Sequence, residues 1–176
     1  MFFQAKHRLS LGALRCVACL SGLLSSLVLL SCYSGPRPPH VGQAAPDFTV
    51  QDADRTVSLK QFRGQVLVLN FWGTFCPPCV EEMPSLISMA QSMKSKGVTV
   101  LGISIDVDAE AYHKFLLHNG VSFLTVQDPA QKTSSLYGTH GWPETYIIDR
   151  EGVVRRKFIG PVDWNAREIR DYLKKL

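Results

Sequence analysis

The chain is poor in cysteine where a disulfide-stapled exported domain would be rich. Five cysteines occur in 176 residues, and only Cys76 and Cys79 lie beyond residue 32. Small secreted scaffolds need several bridges across longer loops, so that class is excluded. Acid is also missing from residues 1–31, which carry Lys6, Arg8 and Arg15. The net charge of +4 therefore sits mostly at that end, and the rest of the chain holds 16 basic against 15 acidic residues. A body so near neutrality gives no reason to expect a nucleic-acid partner. The chain also lacks the run of about 20 apolar residues that spans a membrane comfortably. Its uncharged apolar stretch, Cys16 to Ser31, has 16 residues.

What the N-terminus does have is the layout of an export signal. A basic start leads into an apolar run, the n-region and h-region of a secretory signal. The ending "LLSC", Leu29 to Cys32, resembles a bacterial lipobox, with Cys32 as the residue that would be lipidated. An uncleaved anchor and ordinary signal cleavage are the alternatives. All three carry the remainder across a membrane, and the first two leave it tethered on the periplasmic side of a bacterial envelope. Residues 1–32 are thus the signal segment. Residues 33–45, with three prolines and two glycines, read as a linker. Residues 46–176 form the folded domain, whose first contacts are expected near Val41.

Within that domain the hydrophobic pattern alternates between strand and helix. "DFTVQD" and "RTVSLKQF" suit a short hairpin turning at "QDADR". "QVLVLNFWG" (Gln65 to Gly73) is apolar along its length, as a central strand buried on both faces would be. A helix follows the cysteines, with Met83, Leu86, Ile87 and Ala90 at spacings of three and four, a kink expected at Pro84 and a stop at Gly97. "VTVLGISID" is a second buried strand, and Asp108 caps the next helix. A short extended stretch and a short helix or turn come next. A hairpin around "DREG" and a final amphipathic helix over Asp163 to Lys175 complete the chain. This order predicts an α/β fold with a mixed central sheet, helices on both faces and an N-terminal hairpin.

The pair "CPPC" has four possible uses. Haem attachment wants a histidine after the second cysteine, and Val80 stands there. Zinc wants four ligands, and His113, His118 and His140 do not supply them at ligand spacing, so no metal is expected. A structural disulfide over two residues restrains the unfolded chain little. Redox chemistry fits the position instead. A strand ends, a turn follows, and Cys76 falls at a helix N-terminus, where free N–H groups and the helix dipole stabilise a thiolate. Cys79, one turn on, shares its face. Pro77 and Pro78 are tolerated in the first turn but remove two donors to the Cys76 sulfur.

"VLNFWGTFCPPCVEEMP" resembles the active-site segment of the TlpA-like thioredoxin-fold thiol–disulfide oxidoreductases, in the pattern of their ResA and CcmG/DsbE branches. "YGTHGWPETYIIDREGVVRRKFIG" and "VGQAAPDF" resemble further blocks of that family, so the likeness runs from about Val41 to the C-terminus. The resemblance implies a thioredoxin fold, with Cys76 as attacking thiol, Cys79 as resolving thiol and a redox-active disulfide between them. Pro143 takes the place of the family's cis-proline beside the cysteines, and Trp142 then borders a substrate groove. Glu82 matches an acid under Cys79, where burial would raise its pKa and suit it to shuttle a proton. Glu81, about 100° away on the helix, is expected in solvent. Glu144, Phe75 and Trp72 are further candidates for substrate binding, with Trp72 either packing beside the cysteines or filling the core. Phe75 stands where the family usually has tryptophan.

The function this implies is a membrane-tethered envelope reductase of specific client disulfides, apocytochrome c among the family's substrates. Its electrons would come from a membrane donor of the DsbD/CcdA kind, with no bound cofactor. An oxidase or isomerase, a peroxiredoxin-like peroxidase and a non-catalytic client-binding module are the alternatives. Peroxiredoxin sites read Pro-x-x-x-Thr-x-x-Cys, and Leu69 and Gly73 occupy the proline and threonine places here.

Overall fold

A computed structural model describes residues 38–176. The signal segment, with Cys16, Cys19 and the lipobox cysteine Cys32, lies outside the described residues, as do residues 33–37 of the linker. Among the described residues no helix is long and apolar enough to cross a membrane.

The elements follow the predicted order: β1 Thr49–Gln51, β2 Thr56–Ser58, β3 Val66–Trp72, α1 Pro77–Met93, β4 Val98–Ser104, α2 Ala109–His118, β5 Leu124–Gln127, α3 Lys132–Leu136, β6 Glu144–Ile148, β7 Val154–Ile159 and α4 Arg167–Leu173. Strands β5-β4-β3-β6-β7 form a mixed five-stranded sheet, and β1 and β2 pair separately as the expected hairpin. Strands β3, β4 and β5 run parallel, while β6 is antiparallel to both β3 and β7. At the hairpin turn, Asp52 Oδ1 accepts from the N–H groups of Asp54 and Arg55, both at 2.9 Å, an Asx turn that closes the loop. The chain expected as linker is already docked from Gly42: Gly42 N donates to Val154 O, Val154 N to Gln43 O, and Ala45 N to Gly152 O.

Strand β3 shows why the sheet has helices on both sides. Successive side chains of a strand point to opposite faces. Val66 and Val68 face α1 and α4, in one cluster with Leu86, Met89, Met93, Ile169 and Leu173. Leu67, Leu69 and Phe71 face the other way, toward Phe48, Val50 and Val57 of the hairpin region and Tyr137. Each such buried side chain contributes about 1.5–3 kcal/mol relative to exposure. A strand buried on both sides needs no polar alternation, which is why its sequence reads as one apolar run.

Helix α1 begins one residue after Cys76 and continues through Pro84, with helical residues on both sides. A 3-10 turn, Lys94–Lys96, ends it at Gly97, whose φ of 77° suits glycine. Asp108 caps α2 as expected, its Oδ1 accepting from Glu110 N and Ala111 N. Helix α4 starts at Arg167 rather than near Asp163. The reason lies in residues 162–164. Trp164 is fully buried against the α1 face, and Val162 N donates to Glu82, so this segment reaches across the fold before the helix can begin.

Candidate active site

The site sits at the C-terminal ends of the parallel strands β3 and β4, the end of such sheets where loops leave a crevice. Strand β3 ends at Trp72, and Gly73 to Cys76 form a turn closed by Cys76 N donating to Gly73 O at 3.2 Å. A Cβ on Gly73 would stand 2.9 Å from the ring of exposed Phe75, which would have to swing aside. Cys76 is extended (φ −98°, ψ 104°) and caps α1. Its Sγ accepts from Cys79 N at 3.4 Å. Pro77 and Pro78 have no N–H to offer, so the Cys79 amide is the first-turn donor that reaches the sulfur. Cys76 and Cys79 form a disulfide with Cα atoms 5.3 Å apart. Their exposure differs: Cys76 is 8% exposed and Cys79 is sealed.

The Trp142–Pro143 peptide is cis. The Trp142 carbonyl oxygen lies 3.4 Å from Cys76 Sγ, so the segment expected opposite the cysteines is there. Trp142 is half-buried, and its Nε1 is covered and has no hydrogen-bond partner among the described residues. Phe75 is 61% exposed beside the disulfide. Val107, after β4, and Ile159, at the end of β7 beside Glu144 in register, add exposed apolar surface at the same end of the sheet.

Glu82 lies one turn beyond Cys79 on the same helix face and is 4% exposed, whereas Glu81 is in solvent. Its Oε1 accepts from Asn70 Nδ2 at 2.8 Å, and its Oε2 from Val162 N at 3.0 Å and Trp164 Nε1 at 3.4 Å. Burial pushes its pKa above the ordinary carboxylate value, against the pull of the Val162, Asn70 and Trp164 hydrogen bonds. A crevice of about 300 Å³, lined by Glu81, Glu82, Ser85, Pro161, Val162 and Asp163, gives this carboxyl an outlet away from the sulfurs.

Two sequence expectations are corrected. Trp72 is fully buried under the cysteines, in a cluster with Cys76, Cys79, Met83 and Tyr112, and packs on Phe115 with ring centroids 5.3 Å apart. It has no surface for a client and acts as the floor of the site. Glu144 is 3% exposed and faces the opposite side of the sheet from Glu82. Its Oε1 accepts from Thr139 Oγ1 at 2.7 Å and Lys157 Nζ at 2.9 Å, with the Tyr146 hydroxyl also at 2.7 Å. That carboxylate ties the loop before Pro143 to β6 and β7. It does not line the groove.

Sequence reading missed Asn70, which bridges Glu82 and Thr145 Oγ1 (2.9 Å) from the middle of β3. Its signal was present: Asn70 is the polar residue inside an otherwise apolar strand, and buried polar groups need partners. Val162 and Trp164 carry no such signal, being 80 and 82 residues away in sequence from the acid they contact.

A thioredoxin-like sheet, a disulfide at the strand-to-helix turn and the Trp142–Pro143 segment against the Cys76 sulfur define a thioredoxin-fold thiol–disulfide oxidoreductase. Comparison with known proteins narrows the class. The AhpC/TSA family matches residues 41–157, and the chain belongs to that family. It is 31% identical over 158 residues to the thiol-disulfide oxidoreductase ResA of Bacillus thuringiensis, covering 89% of this chain and 90% of that one. The thiol:disulfide interchange protein DsbE of Pseudomonas aeruginosa is 36% identical over 128 residues, covering 70% and 68%. Among solved structures, a DsbE-type thiol:disulfide interchange protein from Chlorobium tepidum superposes with a TM-score of 0.71 at 31% identity, covering 77% of this chain and 98% of its own. The thioredoxin domain of a Bacteroides vulgatus thiol-disulfide oxidoreductase gives 0.67 at 26% identity, covering 77% and 96%. Within its family the chain is therefore a thiol–disulfide oxidoreductase of ResA/DsbE type.

Proposed function

We propose that this protein is a membrane-tethered reductase of the bacterial envelope that acts on disulfides of specific protein clients. The observation that carries the reading is the asymmetry of the pair. Cys76 keeps some exposure at a helix N-terminus, while Cys79 is sealed, one helical turn before a buried carboxyl that borders a crevice of its own. In the reduced enzyme, the Cys76 thiolate attacks one sulfur of a client disulfide. A mixed disulfide forms, the client S–S bond breaks, and the released client thiolate takes a proton. Cys79 then loses its proton to Glu82, and its sulfur attacks Cys76 Sγ. The enzyme disulfide forms as the second client thiolate leaves, so two electrons pass from enzyme to client.

Glu82 suits the acceptor role because burial raises its proton affinity toward that of a thiol. The crevice on Glu81 and Asp163 suits return of that proton to water. The Trp142 carbonyl, Pro143, the Trp142 ring and exposed Phe75 would meet the client backbone and the residues flanking its cysteine. Phe75 presents a ring with no N–H, which makes this part of the contact apolar. Tethering would come from the N-terminal segment, through lipidated Cys32 or an uncleaved anchor. In an oxidising compartment the enzyme needs a membrane electron donor of the DsbD/CcdA kind. Apocytochrome c, with its closely spaced cysteine pair, is the client class we favour. Against a peroxidase stands Leu69, which occupies the proline place and points to the hairpin side of the sheet, away from Cys76.

The test is the Cys76–Cys79 reduction potential, equilibrated against glutathione. A reductase is expected well below the value of about −120 mV typical of the strong oxidant DsbA. A potential at that oxidising level would make the protein an oxidase and refute the proposal.

A further inference from the structure

The turn that carries Cys76 has little internal support. Beyond the bond from Cys76 N to Gly73 O, Phe75 stands in solvent and the two prolines donate nothing. Its anchor lies outside it. Asp106, in the turn after β4, is 3% exposed. Its Oδ1 and Oδ2 share the Thr74 N–H at 3.1 and 3.0 Å, and Oδ1 accepts the Thr74 hydroxyl at 2.6 Å. Oδ2 also accepts the Ser104 hydroxyl at 2.6 Å. The acid is itself fixed: its N–H donates to Ser104 Oγ at 3.1 Å, and its carbonyl accepts Gln127 Nε2 at 3.2 Å. Gln127 N in turn donates to Asp52 Oδ2 in the hairpin turn at 3.0 Å. Among the described residues Asp106 has no ion pair. A buried carboxylate held by neutral donors alone is a costly way to close a turn, which points to a task at the site.

We propose that Asp106 is the positioning residue of the redox turn. By clamping both the N–H and the hydroxyl of Thr74, it holds Cys76 in the extended cap geometry that keeps Sγ against the Cys79 amide. This rests on the reading of Cys76 as the attacking thiol. The thiolate is stabilised by the helix end only while the sulfur stays within reach of it. A misplacement of about 1 Å in a reacting group can slow a reaction about 100-fold.

Charge and position give opposite signs, so the two can be separated. If Asp106 acted only as a nearby negative charge, Asp106→Asn would favour the Cys76 thiolate and lower the pH midpoint of its alkylation. If it positions the turn, asparagine sets an NH2 where Oδ2 accepts the Thr74 N–H and the Ser104 hydroxyl, and this donor-against-donor contact loosens the clamp and raises that midpoint. The experiment measures iodoacetamide alkylation of Cys76 against pH in the full chain carrying Cys79→Ala, which keeps the residue 79 amide. Asp106→Asn and Thr74→Val are each expected to raise the midpoint and slow alkylation at pH 7 about tenfold or more. Thr74→Ser, which retains both donors, should recover most of the rate lost in Thr74→Val. A lowered midpoint in Asp106→Asn overturns the proposal, as do profiles unchanged in both variants. Should Asp106→Asn fail to fold, Thr74→Val alone decides, because it removes the hydroxyl and leaves the charge. If Cys76 of the parent protein reacts no faster than an unfolded cysteine, the attacking-thiol reading itself falls and takes this proposal with it.

Discussion

Replacing Glu82 with glutamine separates what this side chain does for chemistry from what it costs the fold. The carboxyl is buried among three donors, and its pKa is raised chiefly by desolvation. A raised folded pKa means that the native state holds the proton more tightly than the unfolded chain does. Stability is therefore greatest below the unfolded value near 4.5 and declines as pH rises toward the folded pKa. The loss is about 1.4 kcal/mol for each unit separating the two values. Glutamine keeps the oxygen facing Val162 N and Trp164 Nε1. Its amide can then donate to Asn70 Oδ1, which has no partner among the described residues, once the Asn70 amide turns over and the Thr145 hydroxyl donates to the same oxygen. The number of hydrogen bonds is retained and the buried charge is gone. Urea unfolding of the oxidised protein from pH 4 to 9 should give equal stability at the acid end. Above it, Glu82→Gln should gain steadily and then level off. In single-turnover exchange, resolution of the mixed disulfide should slow about 100-fold or more, the scale of a lost proton acceptor. A variant less stable at pH 8 and as fast as the native enzyme would refute both halves of the reasoning.

Leu86→Ala removes a fully buried side chain from the α1 face of the sheet. It should lower the unfolding free energy by about 2–5 kcal/mol, read from the urea midpoint, with the disulfide potential little changed. Gly102→Ala would place a Cβ 2.9 Å from Trp72 Nε1 and 3.1 Å from both Phe123 and Thr125. Since Trp72 is the floor under the cysteines, overpacking there should cost about 1–3 kcal/mol and also slow alkylation of Cys76. A change in stability with no change in reactivity would uncouple Trp72 from the site.

Local chemistry made part of this protein readable in advance. The cysteine pair, the strand before it and the helix after it form one continuous segment, so spacing alone put Cys76 at a helix N-terminus. Glu81 and Glu82 separated correctly because 100° per residue decides which of two neighbours is buried. Glu144 follows Pro143 immediately, yet adjacency in sequence does not place its side chain in the groove. Strand alternation turns its carboxylate to the hairpin side, where Lys157 and Thr139 meet it. The contacts that complete the site were the least legible. Asn70 meets Thr145 through the pairing of β3 with β6, and Thr74 meets Asp106 through that of β3 with β4. Val162 and Trp164 reach Glu82 only because the segment before α4 crosses back over α1. Such neighbours depend on sheet order and the path of loops, which no local period encodes.

The most direct test of the account is capture of the client. Cys79→Ala protein, expressed in its own cells, can form the mixed disulfide and cannot resolve it. A small set of exported cysteine-pair proteins is expected, joined to Cys76 through a disulfide that dithiothreitol releases. That set should be absent when Cys76→Ala is added. An empty trap, or client maturation that proceeds normally in cells carrying only Cys76→Ala protein, would contradict a reductase acting through this pair.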